Sequence, residues 1–270
     1  TITVNNLRAA ADNNTIDGTF FANVTIPAKT LDKSVVKLKY GTGAYTTVQA
    51  QDDNFTKNIY YPTTGYDYIY SAYAEVTDFV KEKGPGTYTV ADIALNEGPA
   101  DPTGLFGGWA LVVVYENPKM TLRDVTIFDG HAHIAAQTVG TMNYGTLDVS
   151  GFNTVQSGDV NMKIGIVAGE GDLTVGGTGN QVDNFSIKDA NTTTETWRQL
   201  SSSGTNPETN FFKSAIVTTG TRNPSDANNF GIDIVNVTVT PAYLKNKQTS
   251  TSFRYATNQV TNIIPCTAID

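Results

Sequence analysis

The sequence predicts an all-β sandwich of jelly-roll type with at most one or two short helices, and three observations predict it. Segments rich in Val, Ile, Thr, Tyr and Phe recur along the 270 residues, broken by Gly, Pro, Asn and Asp at intervals of roughly 8–12 residues. Almost nowhere do apolar residues repeat with a helical period. Hydrophobic residues make up 39% of a chain with a single cysteine, so a core must form without disulfide staples.

Taken in order, Thr1-Ile2-Thr3-Val4 alternates like a strand and leads into the polar run Asp12-Asn13-Asn14. Phe20–Ile26 is β-rich and stops at Pro27, and Val35–Tyr40 is closed by Gly41-Thr42-Gly43. Tyr66, Tyr68 and Tyr70 would share one face of an extended segment. Ser71–Lys83 is the helix candidate, with Ala72, Val76, Phe79 and Val80 near one face. Gly84-Pro85-Gly86 marks a turn before the strand Thr87–Val90. Trp109-Ala110-Leu111-Val112-Val113-Val114-Tyr115 is the most apolar run of the chain. Its near-continuous hydrophobicity predicts a central strand covered on both faces, with Trp109 in the core. Leu122–Phe128 follows, ending at Asp129-Gly130, and further strands are expected over 147–152, 160–168, 216–218, 232–239 and 250–256. Residues 176–206 read as long loops. Residues 1–29 form an N-terminal extension available for exchange with a neighbour, and residues 30–270 one sandwich domain.

The charge pattern excludes some partners. Eighteen basic against 26 acidic residues leave a net charge of −8, which disfavours nucleic acid, bound through Lys and Arg contacts to phosphate, and anionic lipid. No apolar stretch approaches the roughly 18 residues of a membrane span. Charged residues are only 16% of the chain, and uncharged polar residues replace them. A processed or trimmed N-terminus and an extracellular or cell-surface location are expected. Sequons at Asn13, Asn23, Asn54, Asn184, Asn191 and Asn236 would permit N-glycosylation there. Cys266 reads either as a buried inert thiol or as a link to another chain.

Four groups of residues carry a resemblance. They are Tyr70–Phe79 with Gly86–Asp92; Gly108–Glu116 with Arg123 and Phe128-Asp129-Gly130; Lys163–Asp172; and Asn210–Ser214 with Phe230–Asp233. In order and spacing, over roughly residues 30–265, the chain resembles an extracellular β-sandwich region of large repeat-bearing, adhesin-like microbial cell-surface proteins. The tryptophan-led apolar strand before Phe-Asp-Gly is its most specific piece, and residues 1–30 lie outside it. The resemblance implies an adhesive or architectural role and brings no catalytic residues with it.

Candidate chemistry is sparse. His131 and His133, two apart in a strand, would face one way with Asp129 as a third ligand for a metal; as the only histidines, they read more simply as surface imidazoles. Glu170, Asp172 and Asp183 sit in or beside a glycine-rich stretch and offer hard oxygens suited to a structural Ca²⁺, although the spacing matches neither the EF-hand loop nor the nonapeptide calcium repeat. The same acids would serve a glycosidase only if two stood across a sugar. Tyr60, Tyr61, Tyr66, Tyr68, Tyr70 and Tyr73 would present either a sugar-stacking platform or ordinary cross-strand packing. No nucleophile elbow, phosphate loop or dinucleotide fingerprint is present. The expectation is therefore a non-enzymatic subunit of a pilus-like filament or surface assembly that polymerises with copies of itself, Thr1, Ile2, Thr3 and Val4 completing a neighbour's sheet by donor-strand addition. The alternative is a monomeric adhesin or carbohydrate-binding module whose partner is a surface glycan.

Overall fold

The structure, a computed structural model, describes residues 2–4, 24–26, 30–51, 59, 69–95, 106–134, 141–169, 171–174, 182–202, 206–217, 227–229, 231–258 and 262–269. In chain order the strands are β1 (Ile2–Val4), β2 (Val24–Ile26), β3 (Val35–Tyr40), β4 (Thr46–Gln49), β5 (Tyr88–Ala91), β6 (Thr126–Ile134), β7 (Asn143–Ser150), β8 (Met162–Gly169), β9 (Asp183–Lys188), β10 (Trp197–Gln199), β11 (Ile232–Val239), β12 (Ser250–Thr257) and β13 (Asn262–Ile269). Among the described residues one α-helix, α1 (Thr77–Lys83), precedes β5, and a 3₁₀ turn (Pro241–Tyr243) follows β11.

Eight strands, β6 to β13, form two four-stranded antiparallel sheets, ordered β11-β8-β13-β6 and β10-β9-β12-β7. The hydrogen-bonded pairs nest: β9 with β10, β8 with β11, β7 with β12, β6 with β13. That wrapping, two sheets built from one long folded-over ribbon, is the jelly-roll arrangement expected from the sequence. Outside these strands, β4-β3-β5 make a three-stranded sheet, and β1 pairs with β2 in a two-stranded one.

Alternation fixes which face is buried. In β8, Met162, Ile164, Ile166 and Ala168 are buried while Lys163 is exposed; in β11, Val235, Val237 and Val239 are buried while Asn236 and Thr238 are exposed. This period of two is what a half-buried strand requires. Between the sheets, Phe185 stacks on Phe253 with centroids 5.3 Å apart, and Phe211 and Phe212 meet it at 5.3 and 6.1 Å. Offset and edge-on ring contacts add to the area these side chains bury.

Four expectations need correction. Residues 176–206, read as long loops, hold two strands of the sandwich, β9 and β10, because the polar side chains of Asp183-Asn184-Phe185-Ser186 hide a buried strand from a hydrophobic pattern. Trp109–Tyr115 is not a central strand: no element forms there, and Trp109 is 43% exposed. Among the described residues no strand pairs with the run, so hydrophobicity alone could not make it a core strand. The strand expected to stop at Asp129-Gly130 instead runs to Ile134, because β13 supplies backbone partners on both sides of Gly130, with a register irregularity between Ile264 and Cys266. The helix is shorter than 71–83. It begins at Thr77, whose N–H is taken by Glu75 Oε1 at 2.8 Å, and ends at Gly84 with φ of +69°, a left-handed conformation that glycine adopts without strain.

Candidate functional site

The most unusual surface lies between Phe106 and Ile127. Phe106 wedges against the ends of two sandwich strands. A Cβ on Gly169 would stand 2.9 Å from its ring, and one on Gly231 2.8 Å from its Cβ. Gly108 lies equally close to Ile232, where a Cβ would meet Cγ1 at 2.9 Å. Side chains at these glycines would lever the segment off the sheet. Beyond that anchor Trp109–Glu116 is irregular chain, and no hydrogen bond among the described residues engages it. Val113 is 50%, Val114 55% and Tyr115 73% exposed. At Asn117 the chain turns, its carbonyl taking the N–H of Met120 at 3.0 Å and its Oδ1 that of Lys119 at 3.0 Å. Further on, Asp124 Oδ2 accepts the Asn153 N–H at 2.6 Å, tying the segment to the loop after β7 before β6 begins.

Among the described residues fifteen large hydrophobic side chains are exposed, and nine of them are Trp109, Val112, Val113, Val114, Tyr115, Met120, Leu122, Val125 and Ile127. Isolated exposed hydrophobes are ordinary, whereas a concentration of them marks an interaction surface. From Phe106 to Tyr115 there is no charged residue. Ile127 lies in β6, which pairs with β13 on one side only and is an edge of its sheet, so the apolar segment runs into an open sheet edge. Periodicity could flag the run but not its exposure, since a buried strand and an uncovered one read alike in sequence.

The acidic residues take different places. Asp233 is fully buried. Its Oδ1 accepts the N–H groups of Lys213 at 3.1 Å and Ala215 at 2.8 Å, and its Oδ2 that of Ser214 at 2.9 Å. Ser214 holds φ of +60°, which turns three successive N–H groups toward one carboxylate. Its hydroxyl accepts the N–H groups of Asn229 and Gly231 at 3.0 and 2.8 Å. Burial pushes the Asp233 carboxyl up to about 6 against the pull of those donors, and Asp183 nearby adds to the rise. Of the calcium candidates, Asp183 is buried in β9 opposite Asn210, Asp172 is exposed, and Glu170 lies outside the described residues. Asn210 Nδ2 donates to the Asp172 carbonyl at 3.2 Å, so the loop and β9 are neighbours, but among the described residues no three acidic, His or Cys side chains converge as a metal would require.

Other candidates scatter. His133 is half-buried in β6, and that burial lowers its pKa; the side chains of Asp129 and His131 lie outside what is described. Tyr60, Tyr61, Tyr66 and Tyr68 also lie outside the described residues. Tyr70 is half-buried, its hydroxyl donating to the Ala94 carbonyl at 2.9 Å, and Tyr73 is half-buried too. An aromatic cluster that sequence reading missed stands on the β10-β9-β12-β7 sheet. Arg254 lies over Trp197 at 3.9 Å and Tyr144 at 4.4 Å, and its guanidinium and the Trp197 indole N–H both donate to Glu195 Oε1, at 3.2 and 2.9 Å. These residues are too far apart in sequence for any motif to link them; only the pairing of β12 with β7 and β9 does.

The sequons divide as well. Asn184 and Ser186 are buried in β9. Asn191 Nδ2 donates to the carbonyls of Ala242 at 2.9 Å and Leu244 at 2.8 Å. Asn236 is exposed on β11. Asn13, Asn23 and Asn54 lie outside the described residues, as do Thr1 and the Cys266 side chain. The backbone of Ile2, Thr3 and Val4 is paired within the chain, with Ile26, Thr25 and Val24.

No protein-family profile and no curated protein matches the sequence. Among solved structures, the chain is similar to one titled "Structure of infectious bursal disease virus Gx strain", at a TM-score of 0.28 and 11% identity, covering 88% of this chain. The chain spans 55% of the length of that structure, and a likeness at this level leaves the function to be argued from the molecule itself.

Proposed function

We propose that the protein is a non-enzymatic structural subunit of an extracellular, cell-surface assembly, and that it polymerises with copies of itself. One observation carries the reading: the uncharged apolar stretch Trp109–Tyr115 is largely exposed and, among the described residues, without hydrogen bonds, and it continues toward β6, the edge strand of its sheet. Covering such a stretch with an added strand would satisfy its backbone groups and remove its side chains from water. A second copy is the occupant that the charge favours. Two chains of net charge −8 repel over most of their surface, and a segment without charge lets them meet. The strand supplied is that of the N-terminal ribbon. Among the described residues β1 and β2 pair only with each other, and a lone two-stranded ribbon is marginal in water. A heterologous contact of this kind repeats head to tail into an open polymer wherever the rotation does not close.

The test is light scattering and electron microscopy of the purified chain at rising concentration. Filaments or higher oligomers are expected, and both deletion of residues 1–12 and the double substitution Val113→Lys/Val114→Lys should abolish them. A chain that stays monomeric at high concentration overturns the proposal. A second reading, binding of surface glycans, is favoured by the Tyr144, Trp197 and Arg254 cluster, whose Tyr144 is exposed; glycan-array binding lost on Tyr144→Ala with Trp197→Ala would support it.

A further inference from the structure

We infer that, of the sequons at Asn184, Asn191 and Asn236, the folded chain offers only Asn236 as an acceptor of an Asn-linked oligosaccharide; the biological use of the site rests on the extracellular reading above. Transfer asks three things of a folded protein: a reachable amide nitrogen, an amide not already committed to the fold, and a reachable hydroxyl two residues on. Asn184 fails the first and third, because its amide and the Ser186 hydroxyl are both buried in a strand with neighbours on each side, β12 and β10. Asn191 fails the second. Its Nδ2 holds the carbonyls of Ala242 and Leu244, at 2.9 and 2.8 Å, and so fastens the turn after β9 to the 3₁₀ turn after β11. Glycosylation there would replace a proton of that bridging amide with a sugar.

Asn236 meets all three conditions. It and Thr238 are exposed on the outward face of β11, and among the described residues no hydrogen bond engages the Asn236 side chain. Its cross-strand partner on β8 is Gly165, so no side chain crowds the amide from that side. β11 is the edge strand of its sheet, paired along its length with β8 and on its other side bridged at Ile234 to Ile216, so less of the fold opposes its entry into an enzyme than opposes that of β9. In the transfer, Asn236 Nδ2 attacks C1 of the first sugar of a lipid-pyrophosphate-linked oligosaccharide. The N–C1 bond forms as the C1–O bond breaks, the lipid pyrophosphate leaves with that electron pair, and the amide gives up one proton to the transferase. A glycan so placed would stand beside the β11 edge and keep another chain from adding to it.

The experiment uses unglycosylated, folded full-length chain and three synthetic peptides spanning the sequons, each incubated with an oligosaccharyltransferase and its lipid-linked donor and mapped by mass spectrometry. All three peptides should accept the sugar. In the folded chain Asn236 should react at least about tenfold faster than Asn184, which is reached only by local opening of the sandwich, and than the exposed Asn191, whose amide must first release the Ala242 and Leu244 carbonyls, and Thr238→Ala should abolish the Asn236 product. Equal reaction at Asn184 or Asn191 in the folded chain would overturn the inference, as would an inert Asn236 in either the chain or its peptide. The readout contains no assembly step, so it succeeds or fails separately from the scattering and microscopy that test polymerisation.

Discussion

Replacing Asp233 with Asn should flatten the dependence of stability on pH between about pH 4 and pH 6. Burial raises the Asp233 carboxyl from its ordinary 3.8 to about 6 in the folded protein, whereas in the unfolded chain it returns to the ordinary range. The folded state therefore binds the proton more tightly, and between these two values it carries more protons than the unfolded state. Stability must then be highest below about pH 4 and fall as pH rises through about 6, by about 3 kcal/mol from this group alone. His133 acts in the opposite sense, since burial lowers its pKa and its contribution is lost as pH falls, so the difference between wild type and Asp233→Asn isolates the carboxyl. Asp233→Ala probes the other half of the site. It would leave the N–H groups of Lys213, Ser214 and Ala215 without their acceptor, at about 1–3 kcal/mol for each donor that stays buried. Urea unfolding followed by circular dichroism at half-unit steps from pH 4 to pH 7 measures both effects. An Asp233→Asn profile that keeps the wild-type slope across that window would refute the account of a desolvated carboxyl.

Phe185→Ala, which empties the centre of the Phe211, Phe212 and Phe253 cluster, should cost about 3–5 kcal/mol in the same unfolding assay. Trp109→Ala should cost the isolated chain less than about 1 kcal/mol, the range of a half-exposed surface side chain, while weakening self-association in sedimentation experiments. Val113→Lys with Val114→Lys should likewise leave stability within about 0.5 kcal/mol of wild type and abolish polymers; a large loss of thermal stability would mean that the segment is covered within one chain.

Within the sandwich β8, β11 and β12 were the most legible strands, whereas β9 and β10 lie where the sequence reads as loops. β8, β11 and β12 each bury every second side chain, and alternation survives whatever partners a strand takes. Local signals failed where partners decide. Asp129-Gly130 has the composition of a turn, yet β13 carries β6 straight through it. Trp109–Tyr115 has the composition of a core strand, yet among the described residues no strand pairs with it. The Asp233 site was invisible for a related reason. A carboxylate on the buried face of a strand contradicts the pattern unless its donors are known, and those sit 18 to 20 residues earlier in the chain. Arg254, Trp197 and Tyr144 meet only because β12 lies between β7 and β9.

The nested pairing of the strands sets a timetable for synthesis. β6 leaves the ribosome before any other sandwich strand, yet its partner β13 is the last, with residues 134 and 262 forming the first matched pair. β9 and β10 can close as soon as both are made, β8 must wait for β11 and β7 for β12. So the sheet ordered β11-β8-β13-β6 is completed only after translation of the sandwich has finished, and its closure spans a large sequence separation, which slows folding. Throughout that interval the unpartnered β6 and the apolar run before it stand open together. A nascent chain of this design therefore depends on shielding, by a chaperone or by low local concentration, until its final strand arrives.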